Sequence, residues 1–459
     1  MTWILAFVFI LGAAVVLHEF GHFLVAKMLG IRVETFSVGF GKRIWGRRWG
    51  TTDYRLSLIP LGGYVKLGGD ESNAGLEEGT SEEIPPGERF DLRPRWQKIS
   101  VAVAGPVMNV LTALAIPFAL AMIIGVPSMP PPVVGDVIEG SAADAAGLRP
   151  GDRIVSFNGR DNATWEEIRN DGTISPGQAI QFTVERAGQR VPLTITPSKF
   201  EEDGQEIGDL GLLPDYGDIP VKVVIDMVEK GAPAEQAGLQ PGDQILALDG
   251  TPMRSYYQVV RYIKEHRAGA VTFTVRRKGE TLDIAAGEVR KPDGKLGFQP
   301  DDEYPIKRVG AGAAMAYAYG HNVEMLRLTG NALGQVFSGR RSVRDTFSGP
   351  IGIAQATKRA TEEGGLEADF RMLGFLSLNL GIFNLLPIPV LDGGMIFVLL
   401  LEALLGVVGM KLSMRMRERI QQVGFVFLLL LMGFVIINDV TKFAPGWFRS
   451  ERPAATQRK

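Results

Sequence analysis

An apolar segment that contains ionisable side chains restricts the fold more than any other feature of the chain. Residues Trp3 to Leu17 are apolar without interruption and run directly into His18, Glu19 and His22. On a helix of 3.6 residues per turn, the two histidines lie one turn apart on the same face. Ionisable groups at membrane depth cost so much free energy that they indicate function. We therefore expect a membrane helix that carries a polar site.

These three polar residues form the HExxH pattern, in which two histidines bind zinc and the glutamate takes a proton from water. The pattern is short enough to occur by chance, but its place inside a membrane segment makes an accidental match the weaker interpretation. The sequence has no cysteine and only two further histidines, His266 and His321, both in polar stretches. We therefore expect a carboxylate as the third metal ligand.

The composition indicates both membrane-embedded and soluble parts. The chain has 459 residues, of which 46% are hydrophobic, and this length exceeds that of one ordinary domain. The formal net charge of −2 gives no basic surface of the kind that binds DNA or RNA, so we expect no nucleic-acid partner. The lack of cysteine excludes disulfides and thiolate metal sites.

Four hydrophobic segments predict four transmembrane helices, since each can cross about 30 Å of hydrocarbon. A cleaved signal peptide is the competing interpretation of the first segment, but no Lys or Arg precedes its apolar run and no small-residue cleavage site follows it. Two prolines and a Gly pair interrupt the third segment beside Asp392. Backbone groups freed there need a protein-lined cavity, and the carboxylate needs a cation. The predicted helices cover residues 1–27, 98–127, 371–405 and 421–439.

Small and polar residues inside the second predicted helix are interpreted as structural. Pro106 is expected to kink the helix, and Gly105 and Asn109 are expected to serve close packing rather than chemistry.

The stretches between these helices predict a sheet, loops and surface helices. Residues 28–97 combine a membrane-associated β-hairpin sheet on the cytoplasmic side with an acidic loop over 70–93, which we expect to be flexible. The sheet either holds an extended substrate along its edge or is a plain connecting hairpin, and the sequence favours neither. Residues 304–370 predict amphipathic helices on the membrane surface, and residues 406–420 predict a cytoplasmic loop.

An internal repeat lies between the second and third predicted helices. Residues 140–152 (GSAADAAGLRPGD) match residues 231–243 (GAPAEQAGLQPGD). This turn, helix and turn resemble a circularly permuted PDZ domain, which predicts two tandem α+β PDZ domains over 128–217 and 218–303. Such domains bind a peptide, for example a free C-terminus, as an added strand, and the alternative is a size filter that binds no terminus. The candidate groove strands are Val134 to Glu139 and Val223 to Glu229.

The distribution of basic residues predicts the orientation, since loops rich in Lys and Arg stay in the cytoplasm. The loop after the first helix and the loop 406–420 both carry clusters of Lys and Arg. This places the metal site toward the cytoplasm, and it places the PDZ domains and both termini in the periplasm. The basic C-terminal tail, 440–459, opposes this arrangement mildly, and the even number of spans outweighs it.

HEFGH in the first helix, NLLPIPVLDGG in the third and the tandem PDZ pair together resemble the site-2 protease family of intramembrane zinc metalloproteases. The resemblance covers nearly the whole chain and is greatest for the bacterial members of the sigma-E stress response. Met395 stands where some relatives have a basic residue after LDGG, which leaves the metal ligands unaffected. The resemblance implies one Zn²⁺ site, whose ligands are His18, His22 and Asp392, whose general base is Glu19 and whose substrate contact is Asn384.

The same resemblance implies an endopeptidase of the bacterial inner membrane that cuts single-span proteins within the lipid bilayer, in regulated intramembrane proteolysis. Its substrates would be an anti-sigma factor, after a first cut on the outer side, and remnant signal peptides. Two other classes stay open: a catalytically silent PDZ scaffold with a structural zinc, which has no use for Glu19, and a transporter, whose usual inverted repeat is not found. The residues expected to hold the unwound substrate are Tyr64, Val65, Asn384, Pro387 and Pro389.

Overall fold

The structure of the protein is a computed structural model that describes residues 2–70, 84–202, 205–216, 219, 221–266, 269–286, 296–340, 342, 346, 349–407 and 414–443. The chain forms two compact units, one of Met1–Ile123 with Gly310–Lys459 and one of Ile124–Val309. Parts of three expected segments lie outside the described residues, namely the acidic loop, the loop 406–420 and the C-terminal tail 440–459.

Helices dominate the first unit and short strands the second. In the described residues the helices are α1 (Thr2–Met28), α2 (Arg95–Ile123), α3 (Ala142–Ala145), α4 (Trp165–Ile174), α5 (Pro233–Gln236), α6 (Tyr256–Glu265), α7 (Ala311–Phe337), α8 (Pro350–Asn384), α9 (Asp392–Val407) and α10 (Met414–Phe443). The strands are β1 (Val33–Trp49), β2 (Thr52–Leu67), β3 (Val126–Pro127), β4 (Val134–Val137), β5 (Arg153–Phe157), β6 (Arg160–Asp161), β7 (Ile180–Arg186), β8 (Gln189–Ile195), β9 (Ser198–Glu202), β10 (Gln205–Asp209), β11 (Leu212–Pro214), β12 (Lys222–Val228), β13 (Gln244–Leu248), β14 (Thr251–Pro252), β15 (Val271–Arg277), β16 (Glu280–Ala286), β17 (Phe298–Glu303) and β18 (Ile306–Lys307).

Three helices of the described chain are long and apolar enough to cross a membrane: Trp3–Met28, Arg95–Ile123 and Arg419–Thr441. The protein is therefore a membrane protein that combines helices with sheets. The expected third span, 371–405, is not a continuous helix, because it is divided between the end of α8 and α9. With 16 residues, α9 is shorter than the about 20 residues that cross a bilayer. A fourth span stays a prediction.

The break between α8 and α9 follows from its prolines. Pro387 and Pro389 have no backbone N–H to continue the helix, which ends at Asn384. Val390 then takes a φ of 87°, a left-handed conformation that is rare for a β-branched residue. The chain enters α9 at Asp392, so this carboxylate lies at a helix N-terminus, where free N–H groups favour negative charge.

The two strands β1 and β2 form one sheet against α1. The segment 35–38 of β1 lies between two parts of β2, pairing with 53–56 on one side and with 63–66 on the other. The outer part of β1 pairs with 52–57, which leaves 63–67 as an edge. This edge lies along α1, since a Cβ on Gly63 would be 3.5 Å from Val16 Cγ2.

A buried apolar cluster joins the end of α1, this sheet and α2. It includes Ala26, Val33, Val65 and Val101, and Phe90 from the acidic loop is buried in the same cluster. Beside it, the Arg93 guanidinium donates to the Gly30 carbonyl at 2.7 Å. The expectation of a flexible loop is therefore wrong for residues 84–93, because the Phe90 side chain packs in this cluster and the Arg93 guanidinium binds the turn that follows α1.

The helix α7 lies within the segment that predicts membrane-surface helices. It packs against α2, and the Asn322 side chain donates to the Ala113 carbonyl at 3.0 Å. The helix α8 begins in the same segment and is kinked at Gly365, whose φ is 56°. The placement of these helices on the membrane surface stays a prediction.

The second unit contains two separate apolar cores. One lies among residues from Val134 to Leu212, and the other among residues from Val223 to Leu296. Phe182 and Phe273, which occupy equivalent positions of the sequence repeat, are both fully buried in their cores. The two ends of the unit meet where β3 pairs with β18.

Each half of the second unit also contains the same buried ion pair. The Arg186 guanidinium donates to Asp152 at 2.7 Å, and the Arg277 guanidinium donates to Asp243 at 2.7 Å. Burial favours the neutral form of Asp152, but hydrogen bonds from Arg186 and from the Arg149 N–H outweigh it, so the pKa of Asp152 lies below its ordinary value. The two copies of the sequence repeat therefore form equivalent Asp–Arg ion pairs.

The two expected groove strands differ in their places: β12 is central in its sheet, which contradicts an edge groove there, whereas β4 lies in a two-stranded sheet with β11 and its role stays a prediction. β12 lies between β13 and β17, and β4 pairs with β11 while the adjoining Val133 bridges to Arg153. Among the described strands, β17 ends its sheet and lies beside α6, and β11 is the outer partner of β4. β17 and β11 both come from the C-terminal end of their repeat.

Candidate metal centre

Three of the predicted site residues converge at one point of the first unit. The His18 Nε2 atom lies 3.0 Å from Asp392 Oδ2 and 3.1 Å from His22 Nε2, and His22 Nε2 lies 3.5 Å from Asp392 Oδ1. One ligand atom from each residue falls within 4.8 Å of the others, as expected of groups that hold one metal ion. The structure therefore brings together residues that are more than 360 positions apart in the chain.

Helix α2 contacts the other nitrogen of each imidazole. His22 Nδ1 lies 2.7 Å from the Val101 carbonyl oxygen, and because a carbonyl only accepts, this nitrogen carries the proton. In the neutral imidazole His22 Nε2 then keeps its lone pair, and it is turned toward the cluster. His18 Nδ1 lies 3.1 Å from the side-chain amide of Asn109, which is fully buried.

Gly105 lies between these two contacts on α2. A Cβ at this position would collide with His22 Nε2 and would stand 2.7 Å from the Cε1 atoms of both His18 and His22. Val101, Gly105 and Asn109 recur every four residues, so they form one stripe along a single face of α2. This stripe is the surface on which both imidazoles rest.

Glu19 is held by the edge of the sheet rather than by another side chain. Its Oε2 atom accepts the backbone N–H of Val65 at 3.1 Å. The Val65 side chain itself is buried in the apolar cluster, with 7% exposed. Val65 therefore contacts the site through its backbone N–H and not through its side chain, and the edge 63–67 lies next to the cluster.

The other predicted substrate residues lie at differing positions around the cluster. The Asn384 side-chain amide is 3.2 Å from His18 Nε2. Tyr64 is buried and stacks on Phe40, whereas Pro387 is exposed. Pro389 is half-buried and packs against the last helix, where a Cβ on Gly424 would stand 2.7 Å from Pro389 Cγ.

The Gly pair after Asp392 allows the loop to fold back on the start of α9. A Cβ on Gly393 would collide with the Leu385 carbonyl, and one on Gly394 would collide with the Ile388 carbonyl. The loop backbone can therefore approach the helix closely only because both positions lack side chains. This approach fixes the Asp392 carboxylate opposite the two imidazoles.

Val101, Gly105 and Asn109 belong to the site but were not predicted to take part in its chemistry. A backbone carbonyl such as that of Val101 leaves no signal in a sequence, because every residue has one. Gly105 and Asn109 do leave a signal: their spacing of four residues inside an apolar helix marks one face of that helix.

Two imidazoles and a carboxylate around one point, with a second carboxylate beside them on an apolar helix, define a membrane metal centre of the hydrolytic type. Comparison with known proteins agrees, because residues 6–431 match the model of peptidase family M50. The chain belongs to this family.

Named relatives are similar over almost their whole length. The regulator of sigma-E protease RseP of Escherichia coli is 33% identical over 462 residues, which cover 96% of this chain and 99% of the relative. The regulator of sigma E protease of Salmonella typhi is 33% identical over 458 residues, 95% and 98% of the two chains. A protein of Neisseria meningitidis, named as a candidate zinc metalloprotease, is 33% identical over 464 residues, 96% and 99% of the two chains.

Proposed function

We propose that this chain is a zinc-dependent endopeptidase that cuts membrane proteins within the bilayer. The observation that carries this proposal is the cluster of His18, His22 and Asp392 next to Glu19, built on helices of which α1 is apolar enough to span a membrane. The family and the names of the relatives support the same activity.

The donor set fits zinc in type and in spacing. Two imidazoles and a carboxylate are ligands that zinc accepts, and one ligand atom from each of the three residues lies within 4.8 Å of the others. Three protein ligands leave one position for water or substrate, the arrangement of catalytic rather than structural zinc. When bound, zinc activates water as a nucleophile and polarises the peptide carbonyl.

The residues of the chain supply proton transfer and positioning. Glu19 is the proposed general base, and the Val65 N–H fixes one of its oxygens so that the other can take a proton and pass it to the leaving amine. Asn384 is the proposed donor to the substrate carbonyl, because its amide lies at the cluster. One donor of this kind is worth about 2.7–4 kcal/mol in other enzymes.

A helical substrate must be unwound before it can be cut, because its carbonyl groups are hydrogen-bonded within the helix. We propose that the edge 63–67, with Tyr64 and Val65, holds the opened strand by β-addition, because this edge lies next to the proposed base Glu19. The loop of Pro387 and Pro389 would line the other side of the opened strand.

The substrates are proposed from the resemblance to the site-2 protease family. We propose a single-span anti-sigma factor, already cut on its outer side by another protease, and remnant signal peptides. The enzyme would lie in the bacterial inner membrane with four spans, its site toward the cytoplasm and both termini in the periplasm.

The two halves of the second unit are proposed to be PDZ domains, 128–217 and 218–303, in the periplasm. They would exclude substrates that keep bulky outer domains or bind newly formed C-termini. Deletion of residues 131–301 should then permit cleavage of an uncut substrate, whereas unchanged selectivity would exclude the filter.

The activity is tested by replacing the proposed base. Wild type, Glu19→Gln and the exposed control Glu362→Gln are purified in detergent, their zinc is quantified, and each is given a single-span test protein. All three should bind one zinc, and Glu19→Gln alone should cut at least about 100-fold more slowly. If zinc is bound and no form cuts any of several substrates, the scaffold with a structural zinc becomes the better interpretation.

A further inference from the structure

Asn109 places a buried amide group beside His18, and the proposed reaction gives this amide no role. Its side chain is fully buried in α2, and its amide group lies 3.1 Å from His18 Nδ1, on the side of the ring that faces away from Asp392. With the nitrogen Nδ2 turned toward the ring, the oxygen Oδ1 has no hydrogen-bond partner among the described residues. A buried amide oxygen without a donor costs about 1–3 kcal/mol.

The orientation of this amide is linked to the tautomer of His18. If Nδ2 donates to His18 Nδ1, the proton of a neutral imidazole must lie on Nε2, which then cannot bind a metal ion. If the amide is rotated so that Oδ1 faces the ring, His18 Nδ1 carries the proton and donates it to Oδ1. Nε2 then keeps its lone pair, and the orphaned oxygen acquires a donor.

The neighbouring imidazole already has this second arrangement. His22 Nδ1 donates to the Val101 carbonyl, two turns of α2 away from Asn109, and its Nε2 is free for a metal. A metal-bound histidine commonly donates its other ring N–H to a carbonyl or carboxylate, which fixes its tautomer and ring orientation. The two imidazoles would thus be held in the same way by the same face of α2.

We propose that Asn109 is a positioning residue that sets the metal-binding tautomer of His18, with its amide oxygen accepting the Nδ1–H. The proposal rests on the proposed zinc site. It assigns to Asn109 a direct part in metal affinity, beyond the packing role that its place in an apolar helix indicates.

The experiment compares zinc affinity among variants of the full-length protein in detergent, by competition with a chelator. Asn109→Leu keeps the same branching of heavy atoms and has no acceptor, and it should lower zinc affinity about 10- to 100-fold. Asn109→Asp keeps an acceptor oxygen and should stay within about threefold of wild type. Asn322→Leu removes another interhelical amide of the same unit, which bonds to the Ala113 carbonyl, and should leave zinc affinity unchanged.

The comparison of Leu with Asp separates the proposal from simple packing, since a packing residue would tolerate the apolar isostere better than a buried carboxylate. Equal zinc affinity in wild type and Asn109→Leu would overturn it, and so would equal losses in the Leu and Asp variants. If Asn109→Leu does not fold, Asn109→Ala takes its place in the comparison. Wild type that binds no zinc at all would instead refute the proposed function.

Discussion

Replacing Gly105 with alanine should damage the metal centre without touching any ligand. The added Cβ would collide with His22 Nε2 and would stand 2.7 Å from both imidazole Cε1 atoms, and ordinary contact begins near 3.4 Å. The His18 ring must therefore move by about 0.7 Å, and the His22 ring must move further. Misplacing a reacting group by about 1 Å can cost about 100-fold in rate. We therefore expect Gly105→Ala to lower kcat/KM about 30- to 100-fold and to weaken zinc binding.

The matched controls are two glycines in other helices of the same unit, Gly330 and Gly433, around which a Cβ would meet nothing within 4 Å. Alanine there should be neutral or stabilising, since glycine is about 1 kcal/mol worse than alanine in a helix. The assay combines zinc titration, steady-state cleavage of a single-span substrate and thermal unfolding in detergent. Gly105→Ala with wild-type zinc affinity and a kcat/KM within twofold of wild type would refute the reasoning.

Three further perturbations test other parts of the structure. Asp439→Ala should lower the unfolding free energy by about 1–3 kcal/mol, seen as a lower Tm, because this buried carboxylate accepts three N–H groups at the start of α8; an unchanged Tm would contradict this. Val65→Pro removes the N–H that holds Glu19, whereas Val65→Ala keeps it, so kcat of the proline variant should be about tenfold lower than that of the alanine variant. Equal kcat values in the two variants would show that this hydrogen bond does not contribute to catalysis. Because the pKa of Asp152 is depressed in the folded state, the ion pair with Arg186 stabilises the second unit at neutral pH, and this stability should fall as pH drops below about 4; limited proteolysis of the full chain should show it, and Asp152→Asn should reduce the dependence on pH.

The metal cluster could be predicted because its residue types are unusual where they occur. Two histidines four residues apart must share a helix face, and a carboxylate just after two prolines in an apolar segment needs a cation. What periodicity could not supply was the proximity of Asp392 to His18 and His22, since nothing local joins positions so far apart. That step depended on the absence of cysteine and on the family resemblance.

The supporting contacts were harder to predict because they depend on which faces of two helices meet. The packing role expected for Gly105 agrees with the structure, but the sequence could not show that the packed groups are the imidazoles of His18 and His22. The interpretation of Asn109 as a packing residue followed from its apolar neighbours. Only the approach of α2 to α1 shows that its amide faces His18 Nδ1.

The groove strand of the second repeat, β12, was assigned wrongly for a similar reason. Whether a strand has a free edge depends on its neighbours in the sheet, and β12 gains its second neighbour from β17, which follows it by about 70 residues. The repeat shows that two copies of one unit exist and where each begins. It does not show which of the strands in a copy is central, because alternation of apolar residues is the same in edge and central strands when one face is buried.

Among the described residues, the contacts that hold the metal centre lie within the first unit. The imidazoles rest on α2, Glu19 is held by the edge of the β1–β2 sheet, and Asp392 is fixed by the fold of the loop before α9. That loop packs against α10 through Pro389 and Gly424, and α10 in turn caps α8 through Asp439. Zinc affinity should therefore report on helix packing in this unit and be independent of residues 131–301. A deletion of the second unit that changed selectivity but kept zinc affinity would separate substrate selection from chemistry, whereas a loss of zinc would show that the second unit also supports the site.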